Sequence, residues 1–169
     1  LAPDPYVSVI VLEYPEYPET TKNLVAKTVS GGFSLTPFNV ISDENELKVE
    51  SKSRRGTIPE HALINNQTTL KWKIYVDTPG MKNIDVSYSY QQNESGSRMV
   101  VSANKTELSH NIQPTEKTIG EPNADWVIDN YKSYRIGQIN FPEKGYYDIE
   151  LEVSPSQKEE VKFQWIWIK

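Results

Sequence analysis

The chain is predicted to be all-β, an antiparallel two-sheet β-sandwich, and three observations say so. The first is a run of alternating apolar positions, Trp72, Ile74 and Val76, that turns at Thr78-Pro79-Gly80 and resumes with Ile84, Val86, Tyr88 and Tyr90. The second repeats that phrase: Tyr134 to Phe141, a Pro142-Glu143-Lys144-Gly145 turn, then Tyr147, Ile149, Leu151 and Val153. The third is that no convincing helical periodicity occurs anywhere. Side chains alternate faces along a strand, so apolar residues at every second position mark a sheet dry on one face and wet on the other. Both phrases read as Pro/Gly-punctuated hairpins of an antiparallel sheet. Trp72, Ile74, Val76, Ile149, Leu151 and Val153 are expected to point into the gap between two sheets.

The remaining elements follow in chain order. Tyr6 to Leu12 is almost wholly apolar and suits a strand covered on both faces, and Glu13 to Asn23, with Pro15 and Pro18, reads as a linker. Residues 1–19 are therefore expected to be a strand and linker continuing from a preceding domain, and 20–169 a single β-sandwich domain. Leu1, Ala2-Pro3-Asp4-Pro5 and the strand behind them suggest a chain cut from a longer precursor. Leu24 to Val29, Phe33 to Leu35, Leu47 to Val49 and Ala62 to Ile64 are short strand candidates. Gly31-Gly32, Ser42 to Asn45 and a Ser51 to Gly56 loop separate them. Met99, Val101 and Ala103, then Leu108, His110 and Ile112, form a hairpin-like pair around Asn104-Lys105. From Gln113 to Asn130 the alternation fails, and a loop of that length is uncommon unless it is functional or disordered. At the end, Val161, Phe163, Trp165 and Trp167 share one face, while Ile166 and Ile168 make the other apolar too.

Composition narrows the function classes. The 169 residues suit one domain with a sizeable core. Acidic residues outnumber basic ones by 23 to 18, and Lys and Arg are scattered, so the electrostatic footprint of a nucleic-acid binder is missing. No apolar run approaches the roughly 20 residues that span a bilayer. Cysteine is absent, which removes disulfides and thiolate metal sites.

The segment Ala2-Pro3-Asp4-Pro5-Tyr6-Val7-Ser8-Val9-Ile10-Val11-Leu12-Glu13 resembles the end of the C-terminal β-sandwich of bacterial α-L-fucosidases of glycoside hydrolase family 29. Gly31-Gly32-Phe33-Ser34-Leu35-Thr36-Pro37-Phe38-Asn39 and the Trp72 to Tyr90 stretch look like an extra C-terminal sandwich of such enzymes in Bacteroidota. At the level of pattern, Trp72 to Val76 with Pro79-Gly80, the loop bearing Trp126, and Ile136 to Phe141 with Pro142, Gly145 and Tyr146 resemble jelly-roll carbohydrate-binding modules related to family 6. That resemblance implies a jelly-roll fold, a loop Trp and a second aromatic sandwiching a sugar, a polar Asn near the chain end, and a structural calcium at the sandwich edge. Here Phe163-Gln164-Trp165-Ile166-Trp167 stands where that Asn is usual.

Candidate chemistry is sparse. Asp43-Glu44-Glu46 and Asp148-Glu150-Glu152 are the densest acid groups, but the latter alternate with Tyr147, Ile149 and Leu151 and so belong to a wet strand face. If the chain is a fucosidase fragment, the catalytic carboxylates lie in an upstream domain. No nucleophile elbow, phosphate loop or His-Glu-x-x-His pair occurs. His61 and His110 lack ligand spacing, and His110 is in phase with Leu108 and Ile112 as a partly buried strand histidine. Arg54-Arg55 reads as solvated loop, and the sequons at Asn66, Asn93 and Asn104 carry no weight in so Asn/Ser/Thr-rich a chain. Trp72, Tyr88, Tyr90, Tyr147, Phe163 and Trp165 keep strand phase and are expected in the core. Trp126, Tyr131 and Tyr134 lie in or beside the irregular loop, with Asn123, Asp125, Asp129 and Asn130 around them. Aromatic faces stack on the C–H face of a pyranose while amides and carboxylates take its hydroxyls. Trp126, Tyr131, Tyr134, Asn123 and Asp129 are thus the expected ligand-binding set, and no catalytic residue is expected. The expected role is a non-catalytic accessory domain of an exported, extracytoplasmic bacterial glycosidase, its partners a fucosylated or other glycan and the upstream catalytic domain. A purely structural domain packing on the enzyme is the alternative, and a sandwich hydrolase or lyase a weaker one.

Overall fold

The structure, a computed structural model, describes residues 24–41, 47–53, 56–91, 96–116, 129–156 and 160–169. The strand expected at Tyr6 to Leu12, the boundary at residue 19, the Asp43 to Glu46 acids, Arg54-Arg55, and Asn123, Asp125 and Trp126 lie outside them. The described residues form β1 (Leu24–Val25), β2 (Phe33–Leu35), β3 (Lys48–Ser53), β4 (Gly56–Ile64), β5 (Thr68–Val76), β6 (Gly80–Ser89), β7 (Arg98–Ala103), β8 (Thr106–Asn111), β9 (Lys132–Phe141), β10 (Gly145–Ser154) and β11 (Val161–Ile168). A single 3-10 turn, Pro37–Asn39, is the only helical segment among them. One sheet runs β1-β5-β10-β7-β8 and the other β3-β4-β11-β6-β9, with β2 beside β11. All pairings are antiparallel except β1 on β5. The chain is an all-β, two-sheet sandwich of jelly-roll arrangement.

The two sequence phrases are not hairpins. β5 and β6 fall in different sheets, as do β9 and β10, so each Pro/Gly link is an arch that crosses the core. The arches pair with each other: Val76 lies opposite Gly145 and Thr68 opposite Val153 in one sheet, while Gly80 meets Phe141 and Tyr88 meets Lys132 in the other. Alternation reports which side of a strand is dry, and a hairpin and an arch leave the same pattern. The inward set is nevertheless as expected, since Trp72, Ile74, Val76, Ile149, Leu151 and Val153 are all buried. Trp72 sits against Phe163 across the core, and its indole N–H donates to the Thr36 carbonyl at 3.0 Å.

Three further details depart from the sequence reading. In the expected Ser51 to Gly56 loop, Ser51 to Ser53 and Gly56 are strand, with Ser53 paired to Gly56. The stretch from Leu24 to Val29 keeps only Leu24–Val25 as strand before a turn. In β11 a register shift between Phe163 and Trp165 moves the inward phase by one, so Val161, Phe163, Ile166 and Ile168 are buried and Trp165 and Trp167 turn outward, half-buried. A bulge inserts one residue and so reverses every later side chain. Trp165 is therefore not a core residue. Trp167 instead lies on Gly32, where a Cβ would stand 2.7 Å from its Cζ2. Gly137, at φ +152°, likewise admits Leu108 of β8, whose Cδ2 would lie 2.9 Å from an added Cβ. That contact brings the edge strands of the two sheets together. The hairpin at Asn104-Lys105 is as read, both residues left-handed (φ 47° and 62°) as a two-residue hairpin turn demands.

Candidate functional site

The long loop leaves β8 and returns to β9 at one end of the sandwich, and its described ends are fastened there. Buried Thr115 makes three bonds with Tyr90: its N–H donates to the Tyr90 carbonyl (2.8 Å), and its hydroxyl accepts from the Tyr90 N–H (3.0 Å) and donates to that carbonyl (3.1 Å). The Asn130 amide donates to the Thr115 carbonyl at 2.7 Å. Asp129 accepts from Lys162 Nζ at 2.7 Å and from Gln91 Nε2 at 2.9 Å. Lys162 lies on β11, so Asp129 is held over the outward face of the six-stranded sheet.

Tyr131 continues over that face. Its ring meets His61 of β4 at 5.8 Å, although β9 and β4 stand three places apart in the sheet, about 14 Å at ordinary strand spacing. The reach is open because at this end β6 presents the small Ser87 and Ser89 outward, both buried. His61, 1% exposed, shares its face with its register partner Glu50. Its Nδ1 lies 2.8 Å from the Pro59 carbonyl, which can only accept, so Nδ1 carries a proton and donates. The ring's Nε2 is 3.7 Å from Glu50 Oε2 and has no hydrogen-bond partner, and neither has the buried Tyr131 hydroxyl. Lys48 beside Glu50 holds its carboxyl below the usual carboxylate range. Burial pushes the Tyr131 phenol well above its ordinary value, helped by the negative charges of Asp129 and Glu50.

Tyr134 goes the other way. It pairs with Val86 on the inward face, stacks on Tyr88 at 5.1 Å and meets His110 at 5.2 Å. Tyr88 and His110 Nε2 are 2.9 Å apart, and the Gln113 N–H donates to the Tyr88 hydroxyl at 3.0 Å. The Tyr88 hydroxyl thus links the Gln113 N–H to the His110 ring. Burial raises the Tyr88 phenol and lowers the His110 imidazole. His110 is the partly buried strand histidine expected. Of the expected ligand set, the structure thus brings Asp129 and Tyr131 to one face and turns Tyr134 to the other.

The sequence reading missed His61 and Lys162 as neighbours of this end, because only the strand order β4-β11-β6-β9 joins them. It also passed over Tyr75 and Tyr146, whose signal was legible: each is an aromatic at the wet phase of its strand. Asp148, Glu150 and Glu152 do lie on the wet face of β10, across from Lys73 (3.4 Å), Lys71 (2.9 Å) and Gln67 (2.9 Å). Among the described residues no cluster of three His, Asp or Glu could hold a metal, so the calcium implied by resemblance finds no such cluster there. No helix of the described residues is long and apolar enough to cross a membrane.

No protein-family model matches the chain. No curated protein matches it either. Solved structures do. The insecticidal crystal protein Cry2Aa matches with a TM-score of 0.63 at 14% identity, over 86% of this chain and 22% of that one. The C-terminal family 6 carbohydrate-binding module of the laminarinase LamC from Zobellia galactanivorans matches with a TM-score of 0.58 at 15% identity, over 82% of this chain and 99% of the module. The α-L-fucosidase of Vibrio sp. strain EJY3 matches with a TM-score of 0.53 at 14% identity, over 86% of this chain and 24% of the enzyme. The chain thus spans about a quarter of the toxin and of the fucosidase. The likeness defines its class: a jelly-roll β-sandwich of the kind found in bacterial carbohydrate-binding modules and toxin domains.

Proposed function

We propose that the chain is a non-catalytic, glycan-binding accessory domain of an exported bacterial glycosidase, such as an α-L-fucosidase. One observation carries the reading: the sandwich coincides with nearly the whole of a carbohydrate-binding module, while it coincides with only a quarter of a fucosidase. The end of the sandwich supplies suitable chemistry. Asp129, Lys162 and Glu50 offer donors and acceptors for sugar hydroxyls, and Trp126 and Asn123 enter the chain within eight residues of Tyr131. The carboxylates on β10 are tied to their neighbours on a solvated face, which supports an accessory role. The test is twofold. The isolated chain should bind in a glycan-containing affinity gel, and Trp126→Ala should release it while leaving the thermal midpoint unchanged. It should show no turnover on an aryl α-L-fucoside. Turnover abolished by one Asp or Glu substitution would replace the accessory reading with a catalytic one.

A second reading is favoured by Trp165 and Trp167, which β11 turns outward. Two half-buried tryptophans on one sheet face suit a domain that buttresses its enzyme. A wild-type chain that binds no glycan, together with a Trp126→Ala midpoint lower by many degrees, would favour it.

A further inference from the structure

Where the two arches turn, β5 and β10 leave Tyr75 and Tyr146 directly opposite each other on the outward face of the five-stranded sheet. Their rings lie 4.9 Å apart, tilted by 57°, and Lys144 Nζ stands 6.0 Å from the Tyr75 centroid. A cross-strand aromatic pair stabilises a sheet, which accounts for Tyr75. It does not account for Tyr146, which remains 60% exposed. Side chains two residues apart on a strand share a face about 7 Å apart, so the next outward residue after Tyr146 is Asp148. Asp148 opens a concavity of about 300 Å³ that is lined also by Ser102, Thr106, Glu107 and Glu150. The tight Asn104-Lys105 turn forms its far wall. An exposed aromatic ring thus stands beside a basin of hydroxyls and carboxylates.

The charges of that basin are already matched, Asp148 by Lys73 and Glu150 by Lys71. A matched carboxylate can still accept from a hydroxyl through its other lone pairs. An anionic ligand would meet the three carboxylates of Asp148, Glu150 and Glu107 against the one lining ammonium, Lys105, whereas a polyhydroxylated neutral one would meet oxygens that accept, hydroxyls and that ammonium as a donor. We propose that Tyr146 and this basin form a carbohydrate subsite for a neutral pyranose, its C–H face on the Tyr146 ring and its hydroxyls on Asp148, Glu107, Ser102 and Thr106. The subsite rests on the glycan-binding reading above, but it lies on the other sheet from Asp129 and Tyr131.

The two can be separated by titrating the isotopically labelled chain with cellotetraose, laminaritetraose, xylotetraose and, as the anionic arm, tetragalacturonate, while amide shifts are followed residue by residue. At least one neutral sugar should move Ser102, Thr106, Glu107, Tyr146 and Asp148 saturably, and tetragalacturonate should not. Tyr146→Ala should weaken that binding about five-fold or more, the loss expected of a stacking ring. Tyr146→Phe should retain it. Asp148→Ala, on an exposed position, should weaken it as well. Shifts confined to Asp129, Asn130 and Tyr131 would overturn the subsite and leave the glycan-binding reading standing. Shifts nowhere would overturn both. Equal binding of tetragalacturonate at the basin, or unchanged affinity in both Tyr146→Ala and Asp148→Ala, would also overturn the proposal.

Discussion

Tyr131 and Tyr134 stand three residues apart around the start of β9, and each meets a histidine, with opposite results. On the inward side Tyr134, Tyr88 and His110 form a packed group in which the Gln113 N–H, the Tyr88 hydroxyl and His110 Nε2 satisfy one another in sequence. On the outward side Tyr131 and His61 are just as closely placed, yet Tyr131 Oη and His61 Nε2 are buried without a partner. Satisfied polar groups add modestly to stability, whereas an orphaned one costs the desolvation of that group. The inward group is thus a part of the core, and the outward pair holds unused hydrogen-bonding capacity where the long loop returns. Each buried polar group without a protein partner in a native fold calls for an explanation, an ordered water or a ligand among them.

The largest test of this contrast is truncation of the inward ring. Tyr88→Ala removes a fully buried aromatic and both its hydrogen bonds, and should cost about 3–5 kcal/mol in denaturant unfolding. A cost near zero would show that the group is not core. The next test turns on sign. Tyr88→Phe leaves the Gln113 N–H and His110 Nε2 without their partner and should destabilise by about 1–3 kcal/mol. Tyr131→Phe removes an orphan instead, and should be neutral or stabilising. If both substitutions lower the midpoint alike, the contrast collapses.

A smaller effect follows from His110. Burial depresses its folded pKa below the ordinary 6.5, so between the two values the unfolded chain binds more protons and stability rises with pH. That contribution is fully present above pH 6.5 and is lost as pH falls through the unfolded value toward the folded one. Thermal midpoints measured from pH 7.5 down to pH 5 should therefore fall, and His110→Gln should flatten the slope across that window. The smallest effect concerns the fastening of the loop. A double-mutant cycle on Asp129 and Lys162, whose side chains are 18% and 28% exposed, should return about 1 kcal/mol of coupling, with less for the more exposed Glu150 and Lys71. Equal couplings would mean that the loop end is no better anchored than a surface pair.

Much of the fold was legible in the chain, and the site less so. The alternations around Trp72 and Ile149 identified the buried side of each long strand, and the irregular stretch after Ile112 marked where the pattern stops. The wet phase of Asp148, Glu150 and Glu152 was equally plain. Three features were not legible, and each depended on residues distant in sequence. Trp165 was assigned to the core because nothing in Phe163-Gln164-Trp165-Ile166 announces a bulge. The opposite directions of Tyr131 and Tyr134 follow from where β9 begins, which local composition does not mark. His61 came to the loop end only because β11 and β6 lie between β4 and β9 and β6 carries the small Ser87 and Ser89 outward there.

By itself, then, the amino-acid sequence determined the secondary structure class, the strand phases and most of the core, because these follow from local covalent geometry and from which face of each strand can leave water. Tertiary structure alone decided that the two Pro/Gly links are arches rather than hairpins. It also decided that the arches pair with each other, and that His61, Lys162 and Tyr131 share one outward face. Those outcomes depend on strand partners chosen from residues far along the chain, and period-two alternation is the same whichever partner is chosen.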